Sequence, residues 1–317
     1  MKVLQIAKLQ AELCGVSLFA RHLQEEVRPF GVDVDTVPEM PADVEADLVL
    51  LHHHDELFDD DEVGAIAGAA AAPVVIFAHG QMTARLCAAV DGVVAMCPGM
   101  TPPGDTPVHL MPLPAWVPSA LEDRAALRRE FDLPADAVVV GTNGFLKFDR
   151  QWPEVAAALL QGDARVFVEI LASPWRLESP GLVDRLERLG ADQDGRLRLS
   201  YSFLDTKTLN RRLQACDLLW CWTAAPSRPY ASGVIADQYA SGTRIVACAK
   251  AQHAHVLTLP NTVGAPNDLD GFIAEVVRET RDGVRLRHDP APIAWGCCLG
   301  GLSLFLRAVV SRRAATP

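Results

Sequence analysis

One stretch of the chain carries the makings of an anion site: Arg228-Pro229-Tyr230-Ala231-Ser232-Gly233-Val234-Ile235-Ala236-Asp237-Gln238-Tyr239-Ala240-Ser241-Gly242-Thr243-Arg244-Ile245-Val246-Ala247. It reads as a loop ending at Ser232-Gly233, a short helix, a cap at Gly242 and a strand. Free N–H groups of Gly233 and Val234 at the helix start would point at an anion, and the helix dipole favours negative charge there. Gly233 lets a phosphate approach the backbone, while the Ser232 hydroxyl either caps the helix or bonds a phosphate oxygen. Basic residues stand in Val140-Gly141-Thr142-Asn143-Gly144-Phe145-Leu146-Lys147-Phe148-Asp149-Arg150, where Lys147 and Arg150 follow an apolar run. A third group is imidazole. His79 closes Val75-Ile76-Phe77-Ala78, and His52-His53-His54 precedes Asp55, Glu56, Asp59, Asp60, Asp61 and Glu62. Three adjacent histidines on extended chain alternate in direction and cannot all reach one ion, and the acidic run suits a helix start. No HExxH spacing occurs, so no metal is expected. Nor are paired carboxylates placed for acid/base work.

Apolar runs alternate with helix-like stretches almost from end to end. Strands are predicted at Val3–Ala7, Val32–Val37, Asp47–Leu51, Val74–Ala78, Gly92–Cys97 and Val108–Met111, with helices at Ser17–Val27 and Asp61–Ala71 and a shorter one around Met82–Ala89. Continuous apolar strands separated by helices are the pattern of a parallel sheet covered on both faces. The proline-dense Pro112-Leu113-Pro114-Ala115-Trp116-Val117-Pro118 cannot join a central strand and reads as a linker. A second series follows. Its strands are Ala137–Gly141, Arg165–Leu171, Arg196–Ser200, Asp217–Cys221 and Arg244–Cys248. Its helices are Ser119–Phe131, Pro153–Leu160, Leu182–Leu189, Thr206–Cys216, Gly233–Ser241 and Leu269–Arg281. The segment Gly296–Arg312 is apolar at helical spacing and basic at its end. The expected architecture is therefore α/β, two consecutive Rossmann-like halves over residues 1–116 and 117–300 with a closing helix at 301–317, and the cleft between them as the default ligand site.

Composition narrows the partners. At 317 residues and 50% hydrophobic, the chain has material for two cores. No run approaches the roughly 20 apolar residues of a membrane helix, and Lys2-Val3-Leu4-Gln5-Ile6-Ala7 reads as a first strand rather than a signal peptide. A net charge of −11 with only 6% aromatics disfavours nucleic acid. The eight cysteines contain no CxxC pair and mostly sit in apolar runs, as buried thiols of a cytoplasmic protein would. Oligomeric state is not legible. Two α/β domains alone also fit an NAD-dependent oxidoreductase, but no GxGxxG follows the first strand.

The segment from Arg228 to Ala247 resembles the nucleotide-sugar loop of the large retaining GT-B glycosyltransferase family that includes many bacterial glucosyl- and mannosyltransferases. Asp237 falls at that pattern's second acidic position, and Ala240-Ser241-Gly242-Thr243-Arg244-Ile245-Val246-Ala247 follows in step. The resemblance implies that Asp237 binds the donor ribose; the pattern's first acidic position is held by Pro229. The Val140–Arg150 segment resembles the family's strand-to-loop opening of the second domain, with Asn143 and Gly144 at the donor and Lys147 or Arg150 neutralising the pyrophosphate. Arg196–Asp205 is similar to the nucleobase loop, so that Tyr201–Leu204, with Phe203, would hold the base; Asp205 fits a helix cap as well. Cys14-Gly15-Val16-Ser17 resembles the Gly-rich turn, with Gly15 kept and Cys14 in place of a second glycine. Leu50–Phe58 is similar to an H-E-x-x-L-F run, and His79 resembles the histidine that contacts the transferred sugar. Together these imply a hexosyltransferase-type enzyme that moves a sugar from a nucleotide diphosphate sugar to an acceptor with retention and without metal or other cofactor. The first domain is short for that family, which suggests a small soluble acceptor. The missing glycine and Pro229 keep open a non-catalytic GT-B-like nucleotide-binding partner, and a GT-B-type sugar epimerase shares the architecture.

Overall fold

The computed structural model describes residues 1–8, 15–43, 45–54, 57–102, 104–174, 181–282 and 287–315. Two compact units divide the chain. One comprises Met1–Pro114, Arg228–Ala231 and Trp295–Pro317, the other Ala115–Ser227 and Ser232–Ala294.

The first unit runs β1 (Lys2–Ile6), α1 (Gly15–Glu26), β2 (Asp33–Val37), β3 (Leu48–His53), α2 (Asp60–Ala69), β4 (Val74–Ala78), α3 (Ala84–Ala89), β5 (Gly92–Ala95) and β6 (Val108–Leu110). Its strands form one parallel sheet in the order β2-β1-β3-β4-β5-β6. The central strands β3, β4 and β5 are buried at every position, as apolar runs such as Leu48–Leu51 and Val74–Ala78 require of a sheet covered on both faces. The acidic run expected at a helix start does close one. Asp59 accepts from the N–H groups of Asp61 and Glu62 while Glu62 reaches back to the Asp59 N–H, a capping box at the head of α2.

In the second unit come α4 (Arg124–Glu130), β7 (Val138–Phe145), α5 (Trp152–Gly162), β8 (Val166–Ser173), α6 (Leu182–Asp192), β9 (Leu197–Tyr201), α7 (Thr206–Gln214), β10 (Leu218–Cys221), α8 (Gly233–Ala240), β11 (Arg244–Cys248), α9 (Ala254–Leu257), β12 (Thr262–Ala265) and α10 (Leu269–Arg281). A second parallel six-stranded sheet results, ordered β12-β11-β10-β7-β8-β9. The helix expected over Ser119–Phe131 begins only at Arg124, because Asp123 takes the N-cap and accepts from the Ala126 N–H. Strand β12 was not foreseen; four residues that include Gly264 carry too little pattern.

Finally α11 (Trp295–Ala315) rejoins the first unit, burying Trp295, Leu299, Leu302, Leu306 and Val309 in its core. The last crossing of the chain thus falls at Ala294 rather than near residue 300. Among the described cysteines Cys297 alone is exposed, and none is disulfide-bonded.

Candidate functional site

Each sheet has one place where neighbouring strands continue in opposite directions along the sheet order: β1 beside β3 in the first unit, β7 beside β10 in the second. Crevices outside the carboxyl ends of strands at such switch points are the standard ligand sites of open parallel sheets. Residues singled out from the sequence gather at both.

In the second unit, β7 ends in Asn143-Gly144-Phe145 against the first turn of α8. Gly144 has φ +121°, and a Cβ there would lie 2.7 Å from Val234 Cγ2, so only glycine lets the strand end meet the helix this closely. Below it Gln238 donates to Asn143 Oδ1 (3.1 Å) and to the Trp220 carbonyl (2.9 Å), tying α8 to β7 and β10. Ser232 holds the N-cap position in extended conformation, its N–H on the Gln252 carbonyl, but its hydroxyl makes no capping bond. By contrast, side chains of Asp59, Thr83, Asp123, Asp205 and Asp268 cap α2, α3, α4, α7 and α10. Asp205 is therefore a helix cap. Gly233 is exposed, with open space where a Cβ would stand. Among the described residues no side chain thus caps the positive end of α8.

One turn on, Asp237 is half-buried and its carboxylate makes no hydrogen bond among the described residues. Burial pushes its carboxyl up to about 7. A desolvated carboxylate without a partner is poised to accept from ligand hydroxyls.

The loop after β7 is pinned to the chain after β10. Thr223 donates to Asp149 Oδ2 (2.8 Å), and the Trp222 indole N–H donates to Gln151 Oε1 (3.0 Å). That clamp fixes the half-buried Arg150, whose Nη1 reaches the Trp222 carbonyl at 3.4 Å while its buried Nε has no partner. Its charge is felt by Cys221 and His253, placing it at the carboxyl ends of β10 and β11. Lys147 lies with Nζ 5.8 Å from the Phe145 ring. Phe145 in turn meets the exposed Phe203 edge-on, ring centroids 6.0 Å apart, which brings the loop after β9 to the end of β7.

The sequence reading missed Lys250, buried with Nζ held by the carbonyls of Thr223 and Ala225 and 5.3 Å from the Trp222 ring. Its one signal was position, a basic residue two past the expected end of Arg244–Cys248. Pro229 belongs with the first unit, beside Gly99.

In the first unit, His79 follows β4 directly, with its N–H on the His53 carbonyl. Its ring is half-buried, edge-on to Phe19 and alongside Phe77. Nε2 lies 2.9 Å from Nδ1 of the buried His52, whose own Nε2 is 2.9 Å from Gln5 Oε1. Burial holds the His79 imidazole well below its usual range and brings His52 down to about 3, so both rings are neutral at pH 7. His52 and Gln5 were not singled out as site residues: Gln5 is a lone polar residue inside an apolar run, and His52 stands in a run of histidines just past the expected strand end. Gly15 opens α1; Cys14 lies outside the described residues.

No family model matches the sequence, and no curated protein matches it either. Solved structures do match in fold. The chain is similar to HepE of Anabaena, determined with UDP and glucose, at 14% identity and TM-score 0.64 over 100% of this chain and 99% of that one. A glycosyltransferase of Rickettsia africae aligns at 11% identity and TM-score 0.68, covering 98% of both chains. Sucrose-phosphate synthase of Thermosynechococcus elongatus gives 14% identity and TM-score 0.61 over 99% and 97%. Two parallel six-stranded sheets with flanking helices, matched over their full length by these proteins, give the chain the GT-B fold.

Proposed function

We propose that this protein is a cytoplasmic glycosyltransferase that transfers a hexose from a nucleotide diphosphate sugar to a small soluble acceptor, with retention and without metal. The observation that carries the reading is the carboxyl edge of the second sheet, where α8, with no side-chain cap at Ser232 and with Asp237 lacking a hydrogen-bond partner among the described residues, meets the end of β7, whose following loop holds Arg150 in place. The N–H groups of Gly233 and Val234 take the diphosphate, with the Ser232 hydroxyl beside them, and Asp237 accepts from the ribose diol. Lys147 and Arg150 meet the charge that grows on the departing diphosphate; such charge-assisted contacts are roughly twice as strong as neutral ones. Phe203, paired with Phe145, offers a stacking face for the base, and the glycine at 144 keeps the strand end close to the phosphates. In the first unit His79 serves the sugar and Gly15 the approach of ligand to α1. The donor phosphate itself receives the acceptor's proton, so no side-chain base is needed.

Proteins with this fold include HepE, whose crystals contain UDP and glucose, which supports a nucleotide-sugar donor here. Incubation with UDP-, GDP- and ADP-sugars across an acceptor panel tests the proposal through nucleotide release. Release dependent on one donor is expected. Nucleotide binding with every donor intact after long incubation would leave a binding partner and remove the enzyme.

A further inference from the structure

A stripe of polar side chains crosses the buried face of the first sheet under α1. Gln5 stands in register with Thr36 on one side and Leu50 on the other; His52, two residues past Leu50, is in register with Phe77; His79 lies two past Phe77. Side chains two apart share a face, so Thr36, Gln5, His52 and His79 line up diagonally across β2, β1, β3 and β4, spanning the switch point. Each touches the next. Gln5 Nε2 reaches Thr36 Oγ1 at 2.9 Å, and Thr36 donates to Gln24 Oε1 at 2.9 Å.

The direction of the chain is set at Gln5. Its amide nitrogen also lies 2.9 Å from the Ala20 carbonyl, which can only accept, so the amide cannot be turned round. Both amide hydrogens are then committed, to Ala20 O and to Thr36 Oγ1, and Oε1 is left as an acceptor. His52 must therefore present Nε2–H to Gln5 and, being neutral in an interior without a nearby anion, an unprotonated Nδ1 to His79. His79 must present Nε2–H in turn.

We infer that the Gln24–Thr36–Gln5–His52 relay locks His79 as the Nε2–H tautomer, with its bare Nδ1 a fixed acceptor for a sugar hydroxyl. Nδ1 makes no hydrogen bond among the described residues, and the ring is only half-buried. All the bonds run the same way, hydrogen passing toward Gln24, so each polarises the next. Gln5 and His52 are positioning residues. The role for a sugar hydroxyl rests on the glycosyltransferase reading; the tautomer does not.

The test is a long-range proton–nitrogen correlation spectrum of ¹⁵N-histidine-labelled protein at pH 7.5, with His79→Gln and His52→Phe used to assign the two rings. Both rings are expected as Nε2–H tautomers in the unaltered protein. A His79 ring protonated at Nδ1, charged, or exchanging between tautomers overturns the relay. In His52→Phe and Gln5→Met, we expect UDP affinity unchanged and kcat lowered about tenfold, the worth of one net hydrogen bond. Slower UDP release from UDP-glucose in water assigns the hydroxyl to the donor sugar. Slower transfer with unchanged hydrolysis assigns it to the acceptor. A locked tautomer with both rates unchanged overturns the role. If no sugar nucleotide is turned over by the unaltered protein, the enzymatic reading fails, while the spectrum still decides the relay.

Discussion

The two sheets share one architecture, yet their carboxyl edges are finished in opposite ways. At the first, polar groups are neutral, buried or half-buried, and bonded to one another, from Gln24 to His79. At the second they are ionic and left open: Asp237 without a partner, Arg150 with an unmatched Nε, and α8 without the side-chain cap that closes five other helices. A neutral relay orients; it supplies direction at little electrostatic cost. Open charge binds, and it costs stability when nothing is bound. The contrast suits an edge that reads hydroxyl geometry and another that grips a diphosphate.

The comparison is most severely tested at the cations. Lys147→Ala combined with Arg150→Ala is expected to lower kcat by about 10²–10³, the cost of removing preorganised charge from a leaving group; steady-state kinetics with the active donor read this, and wild-type kcat would mean the diphosphate lies elsewhere. Next comes Gly144→Val, which forces a β-branched side chain into left-handed backbone against Val234. A loss of about 3 kcal/mol in chemical denaturation is expected, with donor binding lost alongside. Asp237→Ala should raise donor KM about 10- to 100-fold, as expected for hydrogen bonds to a charged group.

Stability gives a subtler contrast. A carboxyl raised from 3.8 to about 7 on folding destabilises the fold as pH rises through that window, because the unfolded chain has already lost the proton. Asp237→Asn is therefore expected to leave Tm unchanged near pH 4 and to raise stability by about 1–2 kcal/mol above pH 7, part of the effect being lost to solvent access. Bound nucleotide should reverse the sign by favouring the charged form, so affinity strengthens as pH rises through about 7. The smallest effect separates the helix starts. Asp205→Ala should cost about 1 kcal/mol, whereas Ser232→Ala, which removes no cap, should cost less than about 0.5; thermal denaturation distinguishes them.

Much of this was legible in the sequence, for identifiable reasons. Buried parallel strands such as β4 and β5 print themselves as apolar runs, and of the twelve described strands only the short edge strand at Thr262 was not anticipated. The head of α8 was visible because Ser-Gly, a two-turn helix, Gly242 and an apolar run follow in fixed order. Asp205 could be read as cap or ligand until its carboxylate was seen on the Thr208 N–H. Relay residues were hidden for the opposite reason. Gln5 sits where the strand pattern predicts an apolar side chain, His52 lies just past the expected strand end at Leu51, and nothing local announces that diagonal neighbours on four strands will satisfy them. Lys250 was invisible too, since the carbonyls that hold it come from a turn some 25 residues earlier.

One feature of the chain path governs how the molecule can be made. The core of the first unit is finished by Leu299, Leu302 and Leu306, which are synthesised after the whole of the second unit. On the ribosome the second sheet can mature while the first still lacks a wall, so birth order and folding order run against each other. A chain halted after Ala294 would present that unfinished wall to water, a ready target for chaperones and for quality-control proteases.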